Sequence, residues 1–493
     1  RLLVHGAAID QKILLYAVLL RPCVAEQVHD ASDEILESVG ILVRSQEARG
    51  IFKRHGCRVD SRSGIVKIPR AVGAQYRQAF VPTFTFKGRD PRFDKTIPDD
   101  SPVVVTASSA PDIIDPVTGE LRRATSADIA NIAFLVNELD GYDVFSTSTL
   151  ANDAPDGQFS LARFYPALKN CLKPVRGNTK DMQDLKRVLE LGAIVAGGRE
   201  AYRERPLITH HCCAAVSPLT MDINSTEAII YLTERELPCY ATVAPNAGMT
   251  APITLLGALA LGNAEFLAVA FLKQMVKPQS PNIYAALSTV ADMRTGSYAP
   301  GAIETGIMQM AHSQMAHFYN LPSGGYIGLS GAHGNDAQSG YETGMNITAA
   351  MLGRTHMFNT GGLLSSLMTF DFAKAVIDGE MGLMLKRLKR GLDFSRENLA
   401  LEVIAEAGHG GSYLELQHTF EKVSDTALMP GVATREMRGK WEDSGRPDAN
   451  ARALQDASRI LKRDNPAVFS AEVDQKIRKR FKDLVAGDAK WVG

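Results

Sequence analysis

Six cysteines (Cys23, Cys57, Cys171, Cys212, Cys213 and Cys239) are scattered through the chain without a single C-x-x-C pair. In a chain this long they fit the reduced thiols of a cytoplasmic protein. An excess of either charge is also missing, with 54 basic residues against 55 acidic ones. Such a balance argues against a nucleic-acid protein or a polybasic membrane binder. No apolar run is long enough to cross a bilayer. The most apolar window, ITLLGALALGNAEFLAVAFL, is interrupted by Gly262, Asn263 and Glu265 and reads as a buried helix pair. The opening RLLVHGAAIDQKILLYAVLL lacks the ordered basic, apolar and small-residue regions of a secretory signal. No strand is followed by G-x-G-x-x-G, and no G-x-x-x-x-G-K-[ST] occurs, so the usual dinucleotide and P-loop signatures are absent.

What is present is length and rhythm. A chain of 493 residues can bury a large core. Residues 1–98 read as an N-terminal helical module: ASDEILESVGILV and SQEARGIFKRHG carry apolar residues at helical spacing, and CRVDSRSGIVKIP alternates like a short hairpin. Across 99–400, β-prone runs alternate with helical segments. The runs are PVVVTAS, DVFSTST, KPVRGNT, PLITHHCCAA, PCYATVAP, PNIYAAL, GGYIGLS and RTHMFNT. Repeated strand–helix units point to an α/β fold with a parallel sheet, and seven or eight of them fit a closed (β/α)8 TIM barrel better than an open sheet. Residues 401–493 return to helix and are expected to pack on the barrel.

In such a barrel the active site lies where the strands end. His210, His211, Cys212 and Cys213 close one run. Imidazole and thiolate suit zinc, but neighbours along a strand face opposite sides, so the four cannot converge on one ion. Asn246 and Met249 follow the next strand in a turn that Thr250 would cap. Tyr284 ends NIYAAL, Phe358 and Asn359 end RTHMFNT, and Glu304 opens a helix, where an acid also simply complements the dipole. The stretch 321–344, LPSGGYIGLSGAHGNDAQSGYETG, holds seven glycines. A long glycine-rich loop in a compact domain is usually functional or disordered. Tyr326, His333, Asn335, Asp336, Gln338 and Glu342 would give it one aromatic face and several polar groups. No Ser–His–Asp or Cys–His arrangement stands out.

Further fragments make the chain recognisable: ILESVGILVRSQEA, HGCRVDSRSGIVKIP, FKGRDP, SPLTMD, PNAGMTAPITLLGALALGNAEFLA, DMRTG, FYNLPSGG, DAQSGYETG and HGGSYLELQHTF, with Pro430, Arg435, Trp441 and Gly445 in the tail. In this order they resemble the trimethylamine methyltransferase family of corrinoid-dependent enzymes nearly end to end. The resemblance implies a (β/α)8 barrel that moves a methyl group from a methylated amine to cobalt(I) of a corrinoid (cobalamin), usually carried by a partner protein docked over the barrel mouth. In that family the trimethylamine enzyme carries pyrrolysine in the glycine-rich loop, followed by an Asp-Ser-Lys-like segment. Here the place falls near Leu329, followed by Ser330, Gly331, Ala332 and His333. The departure favours the quaternary amines of the branch without pyrrolysine, glycine betaine being the best known.

A quaternary ammonium already carries the charge that makes its nitrogen a leaving group, so no general acid is needed. The enzyme's task is then orientation and desolvation. On strand-end position and loop composition, substrate contacts are expected from Tyr326, Phe358, Tyr284, His211, Asn335, Asp336 and Gln338. Glu304 and His333 are the expected catalytic residues, and Leu329, Asn246 and Met249 are expected against the corrinoid. No resident metal is expected. A zinc-dependent corrinoid methyltransferase and a non-catalytic betaine-binding sensor are the competing readings. The expected partners are a small quaternary amine, a corrinoid protein and further copies of the chain, with neither nucleic acid nor membrane.

Overall fold

A computed structural model describes residues 22–491, so the opening apolar segment lies outside the described residues. The eight β-prone runs become eight parallel strands: β1 (Val103–Val105), β2 (Phe145–Ser146), β3 (Val175–Gly177), β4 (Ile208–Cys212), β5 (Cys239–Val243), β6 (Tyr284–Ala286), β7 (Ser323–Tyr326) and β8 (Met357–Asn359). Each pairs with its sequence neighbours, β8 pairs with β1, and a parallel bridge between Val105 and Val144 joins β1 to the start of β2. The sheet therefore closes into a barrel.

A helix follows each strand: α1 (Ser126–Glu138), α2 (Leu161–Asn170), α3 (Met182–Ala196), α4 (Asn224–Glu234), α5 (Leu255–Val276), α6 (Ile303–Phe318), α7 (Ala337–Leu352) and α8 (Phe372–Arg390). Several starts are written locally. Asp181 accepts from the Gln183 and Asp184 amides, Asp336 from Ser339, and Asp371 from Lys374. Each satisfies amide donors that the first helical turn leaves free.

Period-two alternation sorts the strand side chains. Val103, Val105, Val144, Tyr240, Ile283, Ala285 and Met357 form one inward cluster with Phe84, Phe86 and Ile97 of a hairpin, Phe84–Phe86 with Lys95–Ile97. That hairpin plugs the end of the barrel where the strands begin. Outward residues pack under the helices in two large cores. One joins α4–α6 to the N-terminal helices, and the other joins α1–α3 and α8 to the C-terminal helices Ala449–Leu461 and Ala471–Arg480.

The apolar window read as a helix pair is one continuous helix, α5. Its polar residues do not break it because each finds buried partners. Asn263 donates to Ser32 and to Tyr319, at 2.8 Å each, and accepts from the Tyr284 hydroxyl at 2.9 Å. Glu265 accepts from the Ser217 hydroxyl at 2.6 Å and the Leu219 amide at 2.8 Å. By length and composition α5 could span a bilayer, but 83% of its most apolar window is buried inside the fold.

The opposite end of the barrel carries the additions that matter for function. Hairpins follow β1 (Asp112–Ile114 with Leu121–Arg123), β4 (Ala215–Val216 with Thr220–Met221), β6 (Thr289–Asp292 with Ser297–Ala299) and β8 (Leu363–Leu364 with Thr369–Phe370). They raise a wall around the mouth at the strands' C-terminal ends.

Candidate functional site

Above the apolar plug the barrel interior turns polar. Ser146 of β2, Arg176 of β3, His211 of β4, Thr242 of β5, Tyr326 of β7 and Asn359 of β8 are all buried there. Tyr326 ties the ring together. Its hydroxyl lies 3.0 Å from Ser108 Oγ, 3.4 Å from Arg176 Nη2 and 3.5 Å from His211 Nε2, which links positions following or on β1, β3 and β4. Arg176 stands 5.5 Å from the centroid of the Tyr326 ring and donates its other terminal nitrogen to the Tyr240 hydroxyl.

A second guanidinium enters from α2. Arg163 donates to Ser109 Oγ and Thr147 Oγ1, both at 2.7 Å, and to Asn178 Oδ1 at 3.3 Å. Arg163 and Arg176 are 1% and 0% exposed. Neither forms an ion pair among the described residues. The buried carboxylates are engaged elsewhere: Asp128 with Arg122, Asp143 with Lys386, Asp184 with Ser160, Glu265 with Ser217, and Asp378 with Lys374.

Burial, helped by the charges of Arg176 and Arg163, holds His211 neutral, well below the usual imidazole range. Burial also pushes the Tyr240 phenol up to about 12. Several atoms of the ring have no hydrogen-bond partner: Arg176 Nε, His211 Nδ1, Thr242 Oγ1, Ser146 Oγ, and both Oδ1 and Nδ2 of Asn359. Buried polar groups are ordinarily satisfied, and such a concentration marks a place for a ligand or ordered water. Cys213, the next residue after β4, presents surface at this level, and burial pushes its thiol up while the Arg176 charge opposes the shift.

The structure places the residues expected from sequence in three groups. Tyr326 and His211 meet inside the barrel. Tyr284 and Phe358 do not join them, because alternation turns both outward. Tyr284 packs on Phe266 of α5, with centroids 4.1 Å apart, and lies 3.2 Å from His312 Nδ1. Phe358 is enclosed by Ile327, Ile347, Met351 and Leu385 beneath α7 and α8. An aromatic at a strand end is inside only if its parity is right, and these two have the wrong one.

The third group sits on the outer wall. The glycine-rich stretch is a loop only in its middle: it begins as β7 and ends as the first half of α7. Asp336 caps α7, Asn335 donates to Asn450 at 3.0 Å, and Gln338 donates to Glu342 at 2.9 Å. Exposed His333 lies 3.0 Å from Ser365 Oγ. Glu342 organises the loop by accepting from Ser330 Oγ at 2.7 Å and the Gly331 amide at 2.8 Å. Glu304 stands in the first turn of α6, half-buried. Leu329 is core, 1% exposed, and so cannot present its side chain to a docked cofactor. Asn246 is buried and accepts from Thr289 Oγ1 at 3.3 Å, whereas Met249 is exposed on the rim.

Sequence reasoning missed Arg163, Arg176, Tyr240 and Tyr298. An arginine inside the β-prone KPVRGNT was a usable signal, since strands buried on both faces rarely hold a charge. Tyr298, from the hairpin after β6, is near Tyr326, and burial pushes its phenol up. Nothing local announced it, because the hairpin has to fold over first. His210 and Cys212 face the helices while His211 faces the interior, as strand parity requires. A cleft of about 530 Å³, lined by Phe84, Lys87, Pro238, Cys239, Lys273 and Pro281, opens at the plugged end. Lys273 is held there by the Cys239 and Pro281 carbonyls, at 2.6 and 2.7 Å, and the plug separates this cleft from the polar ring.

The trimethylamine methyltransferase family model matches residues 7–487. A trimethylamine methyltransferase MttB of Desulfitobacterium hafniense strain DCB-2 is 29% identical over 451 residues, covering 92% of this chain and 90% of that protein. A glycine betaine methyltransferase of D. hafniense strain Y51 is 29% identical over 456 residues, covering 92% and 94%. A trimethylamine methyltransferase MttB of Methanosarcina barkeri is 29% identical over 469 residues, covering 93% and 92%. A match over nearly the whole length, on a closed barrel whose polar ring lies at the strands' C-terminal ends, makes this chain a member of the trimethylamine methyltransferase family.

Proposed function

We propose that this methyltransferase takes a methyl group from a quaternary amine, with glycine betaine or a related betaine as donor, and passes it to a corrinoid held by a partner protein over the barrel mouth. The observation that carries the reading is the polar ring at the open end of the barrel, whose inward strand positions hold neither lysine nor carboxylate. Such a ring can bind and orient a small charged molecule but offers little for proton transfer. That matches the demand of a substrate whose leaving group needs no proton.

A corrinoid docked there would supply cobalt(I) as the nucleophile for the methyl carbon, and the nitrogen would leave with the C–N electron pair as a neutral tertiary amine. The rim has the chemistry to receive such a partner. Met249, Ile253 and Leu256 after β5, Met293 after β6, and Tyr341 and Met345 on α7 are all more than half exposed at the mouth. Methionine-rich apolar surfaces of this kind are suited to protein docking. The chain's own residues do the rest. His211, held neutral, and Tyr326 position the donor without adding charge, the hairpin wall excludes water, and Tyr298 offers an aromatic surface near Tyr326.

The zinc reading would need three converging ligands, and no His, Cys, Asp or Glu group of that size lies together among the described residues. The sensor reading and the enzyme reading are separated by one assay. The purified protein is incubated with cob(I)alamin and glycine betaine, and the corrinoid spectrum is followed. Methylation of the corrinoid with release of dimethylglycine is expected; betaine binding without either product would overturn the proposal.

A further inference from the structure

Two fully buried guanidiniums face the same ring with no carboxylate opposite them. Arg163 is held by hydroxyl and amide oxygens, and Arg176 by two phenols. Arginine stays protonated in such surroundings, and isolated buried charge is costly. Water can satisfy the unpartnered Arg176 Nε, His211 Nδ1 and Asn359 amide, but it cannot neutralise two charges. Nor can the ring accept a simple cation, since an ammonium placed beside the guanidiniums would be repelled by both. The charge and the orphan donors of β3, β4 and β8 call for a compact planar anion.

We propose that Arg176, backed by Arg163, is a carboxylate receptor, and that the methylated amine is therefore bound as a zwitterion with its carboxylate inward and its ammonium toward the rim. The fork of Arg176 would take the carboxylate oxygens, with Asn359 Nδ2 as a further donor. Charge-assisted and bidentate pairing of this kind is the strongest hydrogen bonding available to such a group. The orientation also carries the ammonium away from both arginines and toward the open end of the barrel. The amine end of this inference rests on the methyl-transfer reading; the anion end stands on the arginines alone.

The test is calorimetric titration of the full-length protein with glycine betaine, choline and acetate, paired with the corrinoid methylation assay. Betaine and choline share the trimethylammonium group and differ in the anion, so the wild-type protein is expected to prefer betaine by on the order of 10- to 100-fold. Arg176→Met should abolish that preference and the binding of acetate. Equal affinity of the wild type for betaine and choline, or a preference that survives Arg176→Met, would overturn the receptor. If Arg176→Met does not fold, as judged by circular dichroism, Arg176→Lys is read instead. It keeps the charge and loses the fork, and an unchanged preference there counts against the proposal. The two readings fail separately. Methyl transfer from choline as fast as from betaine sinks the receptor and leaves methyl transfer standing, whereas selective betaine binding without corrinoid methylation does the reverse.

Discussion

Phe358 and Tyr326 lie on adjacent strands, one facing the helices and the other the barrel interior, and replacing them should separate stability from binding. Phe358 is 0% exposed in a cluster with Ile327, Ile347, Met351 and Leu385. Phe358→Ala removes a full aromatic side chain from a site that α7 and α8 cannot readily collapse, and large-to-small changes of this type cost about 3–5 kcal/mol. The affinity for the amine should change by less than about threefold, because the ring never reaches the interior. Tyr326→Phe is the converse. The ring and its packing remain, but Ser108, Arg176 and His211 lose their shared oxygen. Arg176 and His211 are then no longer held in one place, and the amine should bind on the order of tenfold more weakly. The assays are the urea midpoint and a direct titration for each variant. Weakened binding in Phe358→Ala with an unshifted urea midpoint would refute the reasoning and return that ring to the substrate site.

Three further outcomes follow from the same packing. A Cβ on Gly325 would fall 2.1 Å from Gln309 Oε1 and 2.3 Å from the Ala286 carbonyl, whereas one on Gly344 meets nothing within 4 Å; Gly325→Ala should therefore express poorly or lower the urea midpoint, and Gly344→Ala should raise stability by about 0.5–1 kcal/mol. Burial lowers His210 and His312 to about 3 and His211 well below its usual value. The unfolded chain then takes up these protons first, so the stability due to the neutral rings is complete above about pH 6.5 and is lost on acidification, by about 1.4 kcal/mol per histidine per pH unit. Asp33, raised to about 6 by burial, opposes this slope only between its folded and unfolded values; a urea midpoint that stays level or rises from pH 6.5 to 5 would contradict the burial argument. On the rim, Met249→Asp and Met293→Asp should raise the KM for a corrinoid protein by on the order of tenfold and leave free cob(I)alamin unaffected; equal loss with both acceptors would move the docking surface elsewhere.

Much of this protein is legible from its residues because the information is local. Seven of the eight strands lie within a β-prone run, β7 begins one residue before its run GGYIGLS, and strand–helix repetition is enough to require a parallel sheet. The order of fragments such as PNAGMTAP and FYNLPSGG names the family. Helix starts at Asp181, Asp336 and Asp371 need only a carboxylate and the amides two or three residues on. The expected division at 98 and 400 and the expected role of each strand-end residue ask for more than local information. Tertiary structure decided the rest. Strand parity, fixed by the register of pairing, turned Phe358 and Tyr284 outward and Arg176 inward. Buried partners contributed from Ser32, Ser217 and Leu219 let α5 run unbroken through Asn263 and Glu265. The site itself is assembled from β3, β4, β7, β8, α2 and a rim hairpin. Its defining property, two guanidiniums without a counter-charge, cannot be seen until barrel closure shows which carboxylates are out of reach.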